Sequence, residues 1–307
     1  MLGSANMDLV FALGRMPRQG ETISGSDLAL FPGGKGANQA CAAGRLGGRT
    51  CMVAHVGNDP FGPQLVESLR AAGVDVSRVG VASRPTGCAC IYVLPNGENS
   101  IVISPGANAT LDPETALASL ADLTERDFLL AQLEIPLETV EAAFAHARTR
   151  GATTILDPAP ARPLSSRLLQ TINFLTPNQT EALMLLGEPD RSVRELSEAA
   201  TAADRLAAIG PRAVILKLGE LGSYYSNGRL RLHAEPFRVV PKDTTAAGDV
   251  FNGALAVALS EDRTVADALR FANAAAALSV TRRGAQTSVP TRSETEEMMS
   301  CDVSADH

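Results

Sequence analysis

Lysine is nearly absent from this chain: Lys35, Lys217 and Lys242 stand against 24 arginines, a skew that reads as genome bias. Cysteine is scarce too. Cys41, Cys51, Cys88, Cys90 and Cys301 are too few and too irregular for a disulfide framework. Cys88-Ala-Cys90 is neither a CxxC redox pair nor half of a zinc site, and the four histidines lie far from it in sequence. The cysteines read as small core residues of a reducing compartment. No apolar stretch approaches the ~18 residues of a membrane span, and no basic region followed by an apolar run opens the chain. A cytoplasmic protein without a membrane partner is expected. Neither sign of charge is concentrated: the net charge is −7, the pI about 5.2, and both signs are scattered. That argues against a nucleic-acid partner held by bulk charge and leaves room for a small anionic ligand at a local site.

What is present is enough for one substantial core, since 45% of the 307 residues are hydrophobic. From about residue 50, apolar runs alternate with helical patterns. Strands are expected at 51–56, 128–133, 153–156, 174–175 and 213–218. Helices are expected at 63–72, from Pro136 to about Arg148, at 178–186 and at 193–209. This rhythm predicts a mainly parallel sheet covered on both faces. Two regions break it. Residues 7–31 hold short alternating runs, and 87–104 read as a hairpin turning at Pro95-Asn-Gly97. Both are expected to form a small β flap over one edge of the main sheet. No linker or repeat divides the chain, so a single domain over 1–300 is expected, with 301–307 as a disordered tail.

Residues 243–259, DTTAAGDVFNGALAVAL, carry the strongest chemical signal. A helix rich in small residues opens there after Ala-Ala-Gly, and a helix N-terminus offers unpaired N–H groups and partial positive charge to an anion. Asp249 then places a carboxylate beside that anion site, which phosphate binding alone does not want. Moving a proton off a hydroxyl that attacks the phosphate does require it. A buried helix with an N-terminal aspartate favoured by the dipole accounts for the same residues. Gly33-Gly-Lys-Gly-Ala-Asn38 opens an earlier helix. It is not a Walker A loop, because Gly36 follows the lysine, and not a dinucleotide fingerprint, because Gln39 stands where Gly or Ala is wanted. Several polar residues sit at expected strand ends: Asn6, Asp8, Glu134, the Asn178/Glu181 pair and the 217–222 turn. Each alone reads more readily as a cap or turn. Their shared placement matters, because open α/β sheets bind ligands at those ends.

Together these segments resemble the PfkB (ribokinase-like) carbohydrate kinase family over nearly the whole chain. GSANMD (3–8), GGKGANQA (33–40), QLEIP (132–136), TPNQTEA (176–182), DTTAAGDVFNGA (243–254) and GAQTSVP (284–290) occur in order. The resemblance implies a ribokinase-like three-layer α/β/α sandwich with a small β-sheet lid from about 7–31 and 87–104. It implies ATP-dependent phosphorylation of a sugar, best matched by ribose at its 5-hydroxyl. Asp249 matches the general base, and Ala246, Ala247 and Gly248 match the backbone anion hole. Asn6, Asp8, Gly34, Lys35, Asn38 and Glu134 fall on sugar positions. Asn178, Lys217, Leu218, Gly219, Glu220, Leu221, Gly222 and Asn273 fall on ATP positions. Asn178 with Glu181 matches the pattern for hydrated Mg²⁺. Asp243, Thr245, Ser279, Arg282, Gly284 and Ser288 match a site for K⁺, mostly through backbone carbonyls. Pairing of two copies through the lid, a homodimer, is implied as well.

The sequence departs from the family at three places. Lys217 occupies a position often held by threonine, Asn273 one where histidine is also found. Only Met1-Leu2 precede Gly3 where several apolar residues are usual, so the first strand is expected to be too short to pair and the native chain to begin upstream. Kinases for 2-deoxyribose, fructose, a ketodeoxy sugar acid or a nucleoside remain alternatives, as does a sugar-responsive regulator on the same scaffold.

Overall fold

The computed structural model describes residues 1–303. The centre of its main sheet is built from mostly apolar, buried runs, while the edge strand at 231–234 is only partly buried. Six strands lie in the order β12-β11-β10-β9-β8-β7. In chain order these are β7 (Phe128–Ala131), β8 (Thr153–Leu156), β9 (Phe174–Leu175), β10 (Ala213–Lys217), β11 (Ser223–Ser226) and β12 (Arg231–Ala234). The pairing is parallel from β7 to β10 and antiparallel across β11 and β12. A parallel pair, β3 (Cys51–Gly57) and β4 (Asp75–Ala82), continues the sheet beyond β7.

The chain start joins the two parts. Leu2 bridges Val53 on one side and Ala131 on the other, both parallel, and is fully buried. Its N–H donates to the Leu130 carbonyl, and the Gly3 N–H to the Val53 carbonyl. The short run expected to be unable to pair therefore does pair, because neighbours on both sides supply its hydrogen bonds and its register.

Side-chain alternation sends each strand into two cores. In β10, Val214 and Leu216 face one cluster and Ala213 and Ile215 the other. The first cluster is closed by α4 (Leu137–Thr149), α6 (Gln179–Leu185) and α7 (Leu196–Ala208), with Phe144 and Leu206 at its centre. The second is closed by α1 (Lys35–Arg45), α2 (Phe61–Ala71), α8 (Ala247–Ser260) and α9 (Val265–Val280), with Leu65, Phe251 and Phe271. The result is the expected three-layer α/β/α sandwich. Shorter helices α3 (Pro113–Ser119) and α5 (Ser166–Leu169) fill the first layer, and α10 (Arg292–Val303) runs into the tail expected to be disordered. Residues 304–307 lie outside the described ones.

A second sheet has the order β2-β1-β5-β6, from β1 (Asn6–Ala12), β2 (Ala29–Gly33), β5 (Gly87–Val93) and β6 (Asn99–Ser104). Strand β6 is exposed along its whole length. β5 and β6 pair antiparallel around the Pro95-Asn-Gly97 turn, with Gly97 in the left-handed region.

Candidate active site

Helix α8 is apolar after its first turn except for the buried Asn252 and the terminal Ser260, and is buried from Asp249 to Ala258, so it packs as a central core helix. Its neighbour α1 approaches very closely at Gly253. A Cβ there would lie 2.7 Å from the Gln39 carbonyl oxygen and 2.7 Å from the Ala42 Cβ. This contact brings two amides of α1 onto the carboxylate of α8. Asn38 Nδ2 donates to Asp249 Oδ2 at 3.0 Å, and Gln39 Nε2 donates to Oδ1 at 3.0 Å. Gly253→Ala is expected to part the helices, to cost about 1–3 kcal/mol of stability, and to lower turnover more than it lowers substrate affinity. Denaturant melts and steady-state kinetics on one preparation check this.

Asp249 is only 5% exposed. Burial pushes its carboxyl up to about 6; Lys35 opposes the shift and Asp157 reinforces it. A carboxylate with a raised pKa is a better proton acceptor than an ordinary one. Just ahead of it, Ala246 caps α8 at φ 59, a left-handed conformation that costs an L-residue about 1–2 kcal/mol. The Ala247 N–H donates to the Thr244 carbonyl at 3.3 Å, and no side chain caps the helix. Among the described residues, the Gly248 and Asp249 N–H groups have no backbone acceptor, so the first turn keeps its donors for an anion.

Glu134, just beyond β7, organises the next group. Its Oε2 accepts from Ser4 Oγ at 2.6 Å, the Lys35 N–H at 3.1 Å and Asn6 Nδ2 at 3.4 Å. Gly34, at φ 88, lets the chain turn into α1 there; a Cβ on it would meet the Asn6 nitrogen at 2.6 Å. Asp8 follows Asn6 by two residues on β1, on the same face. Burial, with Glu134 and Asp249 adding repulsion, pushes its carboxyl up to about 7. Burial works against the Lys35 ammonium, but Asp249, Asp157 and Glu134 outweigh it and hold its pKa above the ordinary value. Asn38 is 6% exposed, and its Oδ1 has no partner among the described residues, leaving a buried acceptor for an incoming hydroxyl. The sequence thus brought Asn6, Asp8, Gly34, Lys35, Asn38, Glu134 and Asp249 to one place.

The expected nucleotide residues are less uniform. Asn178 and Glu181 form a reciprocal capping box on α6: Glu181 N–H donates to Asn178 Oδ1, and Asn178 N–H to Glu181 Oε2, each at 2.8 Å. Burial pushes the Glu181 carboxyl up, Lys217 opposing and Asp157 reinforcing. Residues 217–222 leave β10 through a 3₁₀ turn in which Gly219 and Gly222 have positive φ, Leu218 is buried and Glu220 is exposed. Asn273 is buried and spends its Nδ2 on the carbonyls of Ala234 and Glu235, both at 3.0 Å. In the expected cation loop, Asp243 accepts from Thr245 N–H at 2.9 Å and Gly284 N–H at 2.8 Å, drawing two loops together. Ser279 Oγ donates to Ala276, Ser288 Oγ to Ala285, and the Arg282 side chain pairs with Glu294.

Four positioning residues were not anticipated. Asp157 follows β8 and is 2% exposed; Gln39 Nε2 donates to its Oδ2 at 2.9 Å and Lys217 Nζ to its Oδ1 at 2.8 Å. Gln132 Nε2 donates to Gln39 Oε1 at 2.8 Å and so fixes which way that amide points. Asn108 donates to Asn6 Oδ1 at 2.6 Å while accepting from the Ala5 N–H. Asp157 carried the same strand-end signal that singled out Glu134. The glutamines and Asn108 had no such signal.

The profile of the pfkB family carbohydrate kinases matches residues 1–292. The ribokinase of Bacillus subtilis is 41% identical over 300 residues, covering 98% of each chain. A solved ribokinase of Thermotoga maritima superposes with a TM-score of 0.87 at 40% identity, over 97% of this chain and 98% of its own. One of Arabidopsis thaliana, complexed with ribose and ATP, superposes at 0.90 with 34% identity over 97% of each chain. A helix N-terminus with open donors, an aspartate of raised pKa beside it and this likeness over nearly the full length agree: the chain belongs to the pfkB family of carbohydrate kinases.

Proposed function

We propose that the protein transfers the γ-phosphoryl group of ATP to the 5-hydroxyl of D-ribose, giving ribose 5-phosphate and ADP. The observation that carries this is the clamped carboxylate of Asp249 at the head of α8, beside N–H groups with no acceptor. Asp249 takes the hydroxyl proton as the sugar oxygen attacks the γ-phosphorus, and the bond to the ADP oxygen breaks in line. Backbone donors at 246–248, where the Gly248 N–H is open and the Ala247 N–H would have to leave the Thr244 carbonyl, stabilise charge on the phosphoryl oxygens, with the open Asp249 N–H beside them; comparable donors in other enzymes contribute about 3–4 kcal/mol each. Asn6, Asp8, Lys35, Asn38 and Glu134 hold the sugar, with Asp8 accepting from two vicinal hydroxyls. Asn178, residues 217–222 and Asn273 border the nucleotide. The ribose and ATP bound by the Arabidopsis relative support the substrate pair.

Two ions fit the residues present. Glu181, with Asn178 beside it at the head of α6, suits a hydrated Mg²⁺ held through water, which would neutralise charge on the ATP phosphates. Despite its burial, hydrogen bonds from Thr245 and Gly284 keep Asp243 below its ordinary pKa, an ionised anchor between the carbonyl-bearing loops that would hold K⁺ with Thr245, Ser279, Arg282, Gly284 and Ser288. The second sheet acts as a lid that excludes water as it closes. Its exposed Leu30, Phe31, Ile101, Val102 and Ile103 favour a homodimer through that sheet. The cytoplasm is the proposed location; among the described residues no helix is long and apolar enough to cross a membrane.

An ATP-coupled assay over ribose, 2-deoxyribose, fructose, a ketodeoxy sugar acid and a nucleoside, with and without K⁺, tests this. Ribose is expected to give the highest kcat/KM, with K⁺ raising it. A different preferred sugar, or no turnover with any, contradicts the proposal.

A further inference from the structure

We infer that Lys217 is a second catalytic group, the cation that stabilises the phosphoryl group in flight, and that Asp157 is the positioning residue that aims it. The inference rests on the kinase reading above. Lys217 ends β10, and its Nζ lies 3.3 Å from where a Cβ on Gly248 would stand. The ammonium therefore lies over the first turn of α8, against the backbone whose N–H groups remain open. It is held there by the 2.8 Å bond to Asp157 Oδ1, with the two side chains only 12% and 3% exposed. An ammonium has three hydrogens to donate, and among the described residues this one uses a single partner. The others remain for the oxygens of an anion at the helix head.

The same string of bonds reaches the base. Asp157 accepts on its other oxygen from Gln39 Nε2, and that nitrogen also donates to Asp249. Cation, carboxylate, amide and base thus share one buried network, so the spacing between the proton acceptor and the charge stabiliser is fixed by the fold. Composition points the same way. A chain with 24 arginines and three lysines places two of the three, Lys35 and Lys217, in this site. A compact ammonium on a flexible stem can follow a moving phosphoryl group, which the planar fork of arginine does less well. Where the family resemblance expects a neutral threonine, this chain carries a full charge, and Asp157 balances it while no anion is bound. During transfer, Lys217 exchanges no proton: the hydroxyl proton goes to Asp249, the sugar oxygen bonds phosphorus, and the electron pair leaves with ADP.

A bland alternative is that Lys217 only neutralises a buried aspartate, and variants separate the two. Lys217→Met is expected to lower kcat by about 10²–10³-fold, as removal of one such donor does elsewhere, with ribose KM and the affinity for ADP changed less than about threefold. Its affinity for a non-hydrolysable ATP analogue should fall, because only that ligand carries the γ-phosphate. Asp157→Asn/Lys217→Met removes both charges, guards against a folding defect from an unpaired aspartate, and should stay as slow as the single variant. Recovery of kcat in the double variant overturns the inference, as does equal weakening of ADP and the analogue, or a kcat near the wild-type value in Lys217→Met. If the wild type phosphorylates no sugar, the proposed function fails separately. The two nucleotide affinities then decide: loss of discrimination in Lys217→Met supports the inference, and its retention overturns it.

Discussion

Asp249→Asn is expected to fold, to bind ATP and ribose, and to lose turnover by about 10²–10⁴-fold, the usual contribution of a general base. The amide fills the same volume at a site 5% exposed. It removes a charge that burial disfavours, so the charge itself is no loss to stability. It does leave one new NH₂ group facing donors from Asn38 or Gln39 where the carboxylate accepted from both. That mismatch costs about 1–3 kcal/mol, a small part of the stability of a domain with two full cores. The kinetic loss should fall on kcat, since the proton moves only as the phosphorus is attacked. Loss of ribose binding with unchanged kcat would show that the carboxylate holds the sugar and does not act as base.

Asp8→Asn should weaken ribose binding by about 10²-fold or more, because a carboxylate accepting from two hydroxyls makes charge-assisted bonds of about 1.5–3 kcal/mol each. The dependence on pH carries the sharper signature. Burial, with Glu134 and Asp249, raises the Asp8 carboxyl to about 7 in the free protein. The protonated acid must release its proton before it can accept from both hydroxyls. Ribose affinity should therefore rise with pH below about 7, by up to about tenfold per unit, and flatten above. Asp8→Asn should remove that rise. For stability the sign reverses. A carboxyl raised by folding contributes fully below its unfolded value near 4 and loses that contribution as pH rises through about 7. Asp8→Asn should accordingly melt higher than wild type near pH 8 and lose that advantage near pH 4. Calorimetric titration with ribose and thermal melts across this range check both; a flat affinity profile would remove Asp8 from the sugar contact.

Much of this site was legible in the sequence because its parts sit where local rules place them. Helix α8 announces itself by small residues and Asp249, and Glu134 by its place after a strand. The strands 51–56, 153–156 and 174–175 were legible because runs largely buried on both faces stay mostly apolar, Thr153, Thr154 and His55 being the polar members. What escaped depends on contacts distant in sequence. Gln39 and Gln132 are 93 residues apart and meet only when α1 lies against the sheet. Lys217 and Asp157 are 60 residues apart, so a lysine that read as a mere departure from threonine gains its meaning from a partner no local pattern reveals. At the chain start, two residues look too short to pair until Leu2 is seen bridging neighbours on both sides. Asn178 and Glu181 show the opposite lesson: a spacing of three on a helix served metal and cap readings alike, and the side chains do make the cap.

In the proposed mechanism Asp249 takes the proton from the sugar hydroxyl as phosphorus is attacked. The most direct test is the single-turnover rate of ribose phosphorylation, with ribose and MgATP saturating, followed from about pH 5 to pH 8 in wild type and Asp249→Asn. The expected wild-type rate rises as the Asp249 carboxyl ionises and then levels. The variant should be slower by about 10²–10⁴-fold at the plateau and should lose that rise. A variant within about tenfold of wild type, or one that keeps the same rise, would contradict the account.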